Sequence, residues 1–151
     1  MPNDRIACLL AFSRRFIQVS RIWRQEADAA LARIGLTYAT AQPLLVVRRL
    51  ESAPSQTILA AALDIEGPSL VRLLNQLAAA GLLTRSDDPN DRRAKTINLT
   101  PQGSALADKA EAALKDLRAR LTADVSDADL EAALRVLDSI ATNIEGREAA
   151  T

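Results

Sequence analysis

A mainly α-helical chain with one small β-hairpin is the fold class that these 151 residues predict, and three observations carry the reading. Ala and Leu dominate while aromatic residues make up only 3%, which favours helix over sheet. Apolar residues recur at helical spacing in six segments. One stretch, Gly81 to Gly103, breaks that period: a polar, charged tip is held between Leu82-Leu83 and Ile97-Asn98-Leu99. A hairpin that follows two short helices joined by a tight Gly-containing turn is a winged helix-turn-helix. Long helices flank it at both ends of the chain.

The first helix is expected from about Asp4 to Arg33, striped by Ile6, Leu9, Leu10, Phe16, Ile17, Val19, Trp23, Ala27, Ala30 and Leu31, with Gly35 ending it. A second reaches about Glu51 from a cap at Thr37 or Thr40. Pro43 falls in the first turn if Thr40 caps, and a kink is expected if Thr37 does. Ser55 caps a short third helix through Asp64, with Ile58, Leu59 and Leu63 inward, and Ile65-Glu66-Gly67 makes the turn. In the fourth, Pro68 to Ala80, Leu70, Leu73, Leu74 and Leu77 share one face. Pro68, Arg72, Asn75, Gln76 and Ala79 lie opposite, with Ser69 and Val71 on the flanks.

After the wing, Thr100 caps a helix from Pro101 to about Leu121, and a last helix runs from Ser126 or Asp127 to about Glu145. All five glycines are read as boundary markers. The order is α-α-α-α-β-β-α-α within a single domain, 1–151. Residues 37–100 form a compact lobe. Residues 4–35 and 101–146 form helices whose apolar stripes exceed what so small a core can cover, so pairing with a second copy is expected.

Composition excludes several classes. At 48% hydrophobic and 25% charged, the chain can bury a core. With no His, His-based triads and zinc sites are out, and no Gly-rich phosphate loop is present. An enzyme is therefore not expected, nor a cofactor or metal. The longest stretch without a charge, between Arg33 and Arg48, is too short and polar to span a bilayer. No secretory signal opens the chain, and a single cysteine, Cys8, suits a reducing cytosol, so a cytoplasmic location is expected. Net charge is zero, but residues 1–35 hold six Arg against three acids, and residues 101–151 hold six bases against ten acids.

The outer face of the fourth helix offers base-reading groups. Arg72 can donate twice to a guanine, and Asn75 or Gln76 can pair with an adenine. Ser69 and the helix N-terminus can hold phosphate. At the wing tip, Arg92 and Arg93 suit a narrow minor groove, with Asp91 able to orient an arginine and Lys95 beside them. Ser55, Gln56 and Pro68 complete the expected DNA-facing set with Ser69, Arg72, Asn75, Gln76, Asp91, Arg92, Arg93 and Lys95. A dimer would place two such helices ~34 Å apart on duplex DNA, suiting a palindromic operator.

The run Asp91-Arg92-Arg93-Ala94-Lys95-Thr96-Ile97-Asn98-Leu99-Thr100 resembles the wing signature of MarR-family transcriptional regulators. Ile65-Glu66-Gly67-Pro68-Ser69-Leu70-Val71-Arg72-Leu73-Leu74-Asn75-Gln76-Leu77, followed by Gly81-Leu82, resembles the recognition helix of the SlyA branch, as Arg21-Ile22-Trp23-Arg24 resembles its first helix. The likeness spans about residues 15 to 145 and is most specific from 65 to 100. It implies a homodimeric repressor or activator, with Ser69 and Arg72 in the major groove and Arg92 or Arg93 in the minor groove. Many relatives respond to small aromatic acids, which implies a carboxylate and ring site at Arg21, Trp23 and Arg24. Relatives often carry an aromatic residue early in the second helix, and Thr40-Ala41-Gln42-Pro43 has none. A peroxide-sensing branch uses a first-helix cysteine; here Cys8 is read as a small buried apolar residue, with redox sensing as an alternative. A winged-helix protein-interaction module without DNA binding is the other alternative.

Overall fold

The computed structural model describes residues 2–88, 91 and 94–148, and the order of elements is the expected one. Helices α1 (Pro2–Ala32), α2 (Tyr38–Arg49), α3 (Gln56–Leu63) and α4 (Gly67–Ala79) precede strands β1 (Leu83–Asp87) and β2 (Lys95–Leu99); α5 (Pro101–Leu121) and α6 (Asp127–Glu148) follow. The chain divides into two units, residues 1–117 and 118–151.

In the first unit Leu31, Leu44, Leu45, Leu59, Leu70, Leu74 and Ile97 are fully buried and form the heart of the core. Both candidate caps of α2 are used. The Thr40 N–H donates to Thr37 Oγ1 at 3.2 Å and the Thr37 N–H donates to Thr40 Oγ1 at 2.9 Å, so Thr37 is the cap and Thr40 reciprocates. Pro43 therefore sits inside the helix, buried, rather than in its first turn. This start also corrects one expectation: α2 does open on an aromatic residue, Tyr38. The Tyr38 N–H donates to Asp28 Oδ1 at 2.6 Å, tying α2 to α1.

Ile58 is a second correction. It is 56% exposed, because in a helix of eight residues the fully buried Leu59 fixes the inward direction and Ile58 lies about 100° away. Leu63, one turn after Leu59, is half-buried. Cys8 is exposed, not buried.

The wing is an antiparallel pair in the register Leu83↔Leu99, Arg85↔Ile97 and Asp87↔Lys95. A third short piece joins its other edge: Ser55 bridges Thr96, and the Ile97 N–H donates to Pro54 O at 2.9 Å. The strand ladder thus continues into the residue that caps α3. Two glycines are not at helix ends: Gly103 is the third residue of α5 and Gly146 lies within α6. Gly103 has a specific cause, since a Cβ there would lie 1.8 Å from the Leu82 carbonyl oxygen. Thr100 completes this joint. Its Oγ1 donates to Gly81 O at 2.7 Å and accepts from the Gly103 N–H at 2.9 Å.

In the second unit, Ser126 Oγ accepts from the Asp129 N–H at 3.2 Å and so caps α6. Leu134, Leu137, Ile140 and Ile144 of this helix are exposed. Among the described residues, no helix is long and apolar enough to cross a membrane.

Candidate nucleic-acid interface

Helix α4 is amphipathic by construction. Leu70, Leu74 and Leu77 are buried at i, i+4 and i+7, which fixes the rotation of the helix about its axis. At ~100° per residue, Pro68, Ser69, Arg72, Asn75 and Gln76 then span an arc of ~120° on the far side, and all five are exposed. The structure thus brings these five predicted residues onto one outward surface. Pro68 is the second helical residue, where its missing N–H leaves no bond unmade.

Ser55 and Gln56 lie at the start of α3 and are both half-buried. Ser55 Oγ is engaged, accepting from the Ile58 N–H at 3.2 Å, which leaves its hydroxyl proton as the group it can offer outward. Its place beside β2 relates α3 to the wing, a link that no local sequence pattern announces.

At the wing, the Asp88 N–H donates to Ala94 O at 3.0 Å and the Ala94 N–H donates to Asp91 O at 2.9 Å, closing the base of the tip. Asp91 is exposed. Lys95 forms an ion pair with Asp87 across the ladder. Arg92 and Arg93, the expected groove arginines, lie outside the described residues.

One residue absent from the expected set belongs beside it. Arg85 on β1 is exposed, and its Nη2 approaches Val71 O of α4 at 3.5 Å. The signal for it is strand alternation. Leu83, Arg85 and Asp87 point to one face, so a buried Leu83 turns Arg85 toward the side of the sheet that packs on α4.

The three positions expected to hold a carboxylate and a ring are only partly brought together. Arg21 and Arg24 are both exposed and lie ~60° apart around α1, whereas the half-buried Trp23 is ~160° from Arg21. Arg24 already has an aromatic partner, its guanidinium carbon lying 5.3 Å from the Tyr38 ring centroid. A cleft of ≈ 460 Å³ lies elsewhere, where the end of α2 meets β2 and the start of α5, and is lined by Arg48, Leu50, Asn98, Thr100 and Ser104 among others.

Known proteins share this arrangement. A family model described as the MarR family matches residues 34–94. The transcriptional regulator PA3341 is 36% identical, with 89% of this chain and 98% of that one covered at a TM-score of 0.81. MepR of S. aureus, solved in complex with DNA, is 25% identical over 87% of this chain and 97% of its own, also at 0.81. CouR from Rhodococcus jostii RHA1, solved with p-coumaroyl-CoA bound, is 26% identical over 86% and 91%, at 0.78. Winged lobe, family match and a relative of this identity over nearly its whole length agree, and the chain belongs to the MarR family of transcriptional regulators.

Proposed function

We propose that the protein is a cytoplasmic, homodimeric regulator that binds double-stranded DNA at a palindromic operator. Helix α4 reads the major groove and the wing arginines reach the minor groove. The observation that carries this reading is the exposed arc of Ser69, Arg72, Asn75 and Gln76 opposite the buried Leu70, Leu74 and Leu77. The DNA complex of MepR supports it by analogy of fold and family. The stretch from Ile65 to Leu77 supports a place in the SlyA-like branch.

Dimerisation follows from uncovered apolar surface. The face of α1 that buries Ala27 and Leu31 continues toward the N-terminus as Ile6, Leu9, Leu10, Phe16 and Ile17, all exposed in the single chain. Residues 4–35 and 101–146 are accordingly assigned to pairing, and 37–100 to DNA. The effector is a small aromatic carboxylate, with Arg24 as its anion partner, Arg21 ~60° away on the same side of α1, and Tyr38, already under Arg24, as the ring contact; Trp23, ~160° from Arg21, faces away from that site. The p-coumaroyl-CoA complex of CouR is a precedent for an aromatic acyl ligand in this family.

Fluorescence polarisation against the DNA upstream of its own gene, at two salt concentrations and with and without salicylate, tests the whole reading. Expected are tight, salt-sensitive binding to that duplex and its weakening by the aromatic acid. Binding no tighter than to scrambled DNA would leave the protein-interaction module as the better reading. The exposure of Cys8 keeps a redox role testable in the same assay: mild peroxide releases the DNA in that case, and Cys8→Ser abolishes the release.

A further inference from the structure

The segment proposed to face DNA is not basic. Residues 64–95 hold five acids (Asp64, Glu66, Asp87, Asp88 and Asp91) and five bases (Arg72, Arg85, Arg92, Arg93 and Lys95). Lys95 is engaged by Asp87, while Arg48 and Arg49 of the same lobe pair with Asp108 at 3.0 Å and Glu111 at 2.8 Å. General attraction to phosphate, which drives non-specific binding, is therefore weak here. Discrimination among sequences then rests on contacts to base edges and on groove shape.

One of the acids is placed to make such a contact. Glu66 is the N-cap of α4, is exposed, and makes no side-chain capping hydrogen bond. Ser, Thr, Asp or Asn at that position would satisfy a free backbone N–H, so Glu66 does not serve the helix in this way. The positive end of the helix tolerates its charge. Glu66, Ser69, Arg72 and Asn75 follow one another at intervals of three, forming a slanted ridge of exposed side chains. Glu66 stands one turn N-terminal of Ser69 and ~60° around the helix from it, beside the reading face rather than at its centre, at the end of a recognition helix that approaches base edges most closely.

We propose that Glu66 is a specificity-determining residue that accepts a hydrogen bond from the exocyclic amino group of a cytosine in each half-site. An ionised carboxylate only accepts, so it matches the cytosine amino donor and opposes the acceptor atoms of guanine and thymine in the same groove. The inference rests on the reading that α4 enters the major groove.

The test uses full-length protein, a duplex selected from a randomised pool by the wild type, and single base-pair variants of that duplex. Wild type is expected to prefer cytosine at one base pair per half-site by roughly 5- to 150-fold. Glu66→Ala should erase that preference and leave the others, and Glu66→Gln, whose amide both donates and accepts, should relax it. Asp64→Asn removes an equal charge two residues away. Its residue tolerates the left-handed backbone at φ 50 and ψ 49, and it should leave every base preference unchanged. If Glu66→Ala instead raises affinity equally for all duplexes, as Asp64→Asn would by charge alone, or changes nothing, the assignment is wrong. A wild type with no preference at any base pair would overturn the groove reading itself.

Discussion

Gly103 and Thr100 form one joint, and its chemistry is that of close approach. The start of α5 lies against the Leu82 carbonyl so closely that a methyl group has no room, and the obstacle is backbone that cannot rotate away. Gly103→Ala is expected to destabilise the protein by about 1–3 kcal/mol, lowering the melting temperature in a thermal unfolding experiment. Thr100→Ala removes a cap whose oxygen also holds the Gly81 carbonyl, at a cost of about 1–2 kcal/mol. Because the two changes loosen the same contact, the double variant should lose less than the sum of the single losses. Additive losses in the same unfolding measurement would show that the two residues act separately.

Among elements, the proposed docking gives α4 and the wing different parts in DNA binding, so their variants should behave differently. Arg72 lies in the middle of the exposed arc, where a bidentate contact to one guanine is available. Arg72→Ala should cost on the order of 1–3 kcal/mol on the selected duplex and relax preference at one base step. Arg93→Ala should weaken binding to all duplexes alike and reduce the slope of log K against log salt by about 1. Shifts of less than about two-fold for both variants in a salt-titrated polarisation assay would sink the docking scheme.

These elements were legible in the sequence to unequal degrees, for physical reasons. Helix α4 was clear because Leu70, Leu74 and Leu77 impose a helical period that burial then obeys. The hairpin was clear because two apolar pairs flank a charged tip. Ile58 misled because an eight-residue helix gives too few turns to fix its inward direction from pattern alone. The start of α2 was ambiguous because Thr37 and Thr40 are both good caps, and only their reciprocal bonds decide it. Arg85 and the Ser55–Thr96 bridge depend on pairing between segments far apart in sequence, which local periodicity does not encode.

For the whole molecule, uncovered apolar surface gives the strongest argument. Eight large apolar residues of α1 are at least 41% exposed in the single chain, Ile17 at 67%, and five more on α6 are exposed to 38% or beyond. Soluble monomers rarely leave contiguous stripes of this kind uncovered. On α1, Ile6, Leu9, Leu10, Phe16 and Ile17 fall within ~120° of one another around the helix, and the five residues of α6 within ~160°, so each set suits the face of another helix. In the proposed dimer a second copy supplies that face and, by two-fold symmetry, a second α4 for the other half of the proposed operator. Sedimentation should therefore give a dimer at micromolar concentration. Ile17→Glu leaves the lobe core untouched, since Ile17 contributes nothing to it, and keeps good helix propensity in α1. It should shift the protein to monomer and, because the two half-sites then bind independently, weaken operator binding by about 10²- to 10⁴-fold with far smaller loss on an isolated half-site. A variant that remains dimeric in sedimentation would place the pairing surface away from this part of α1.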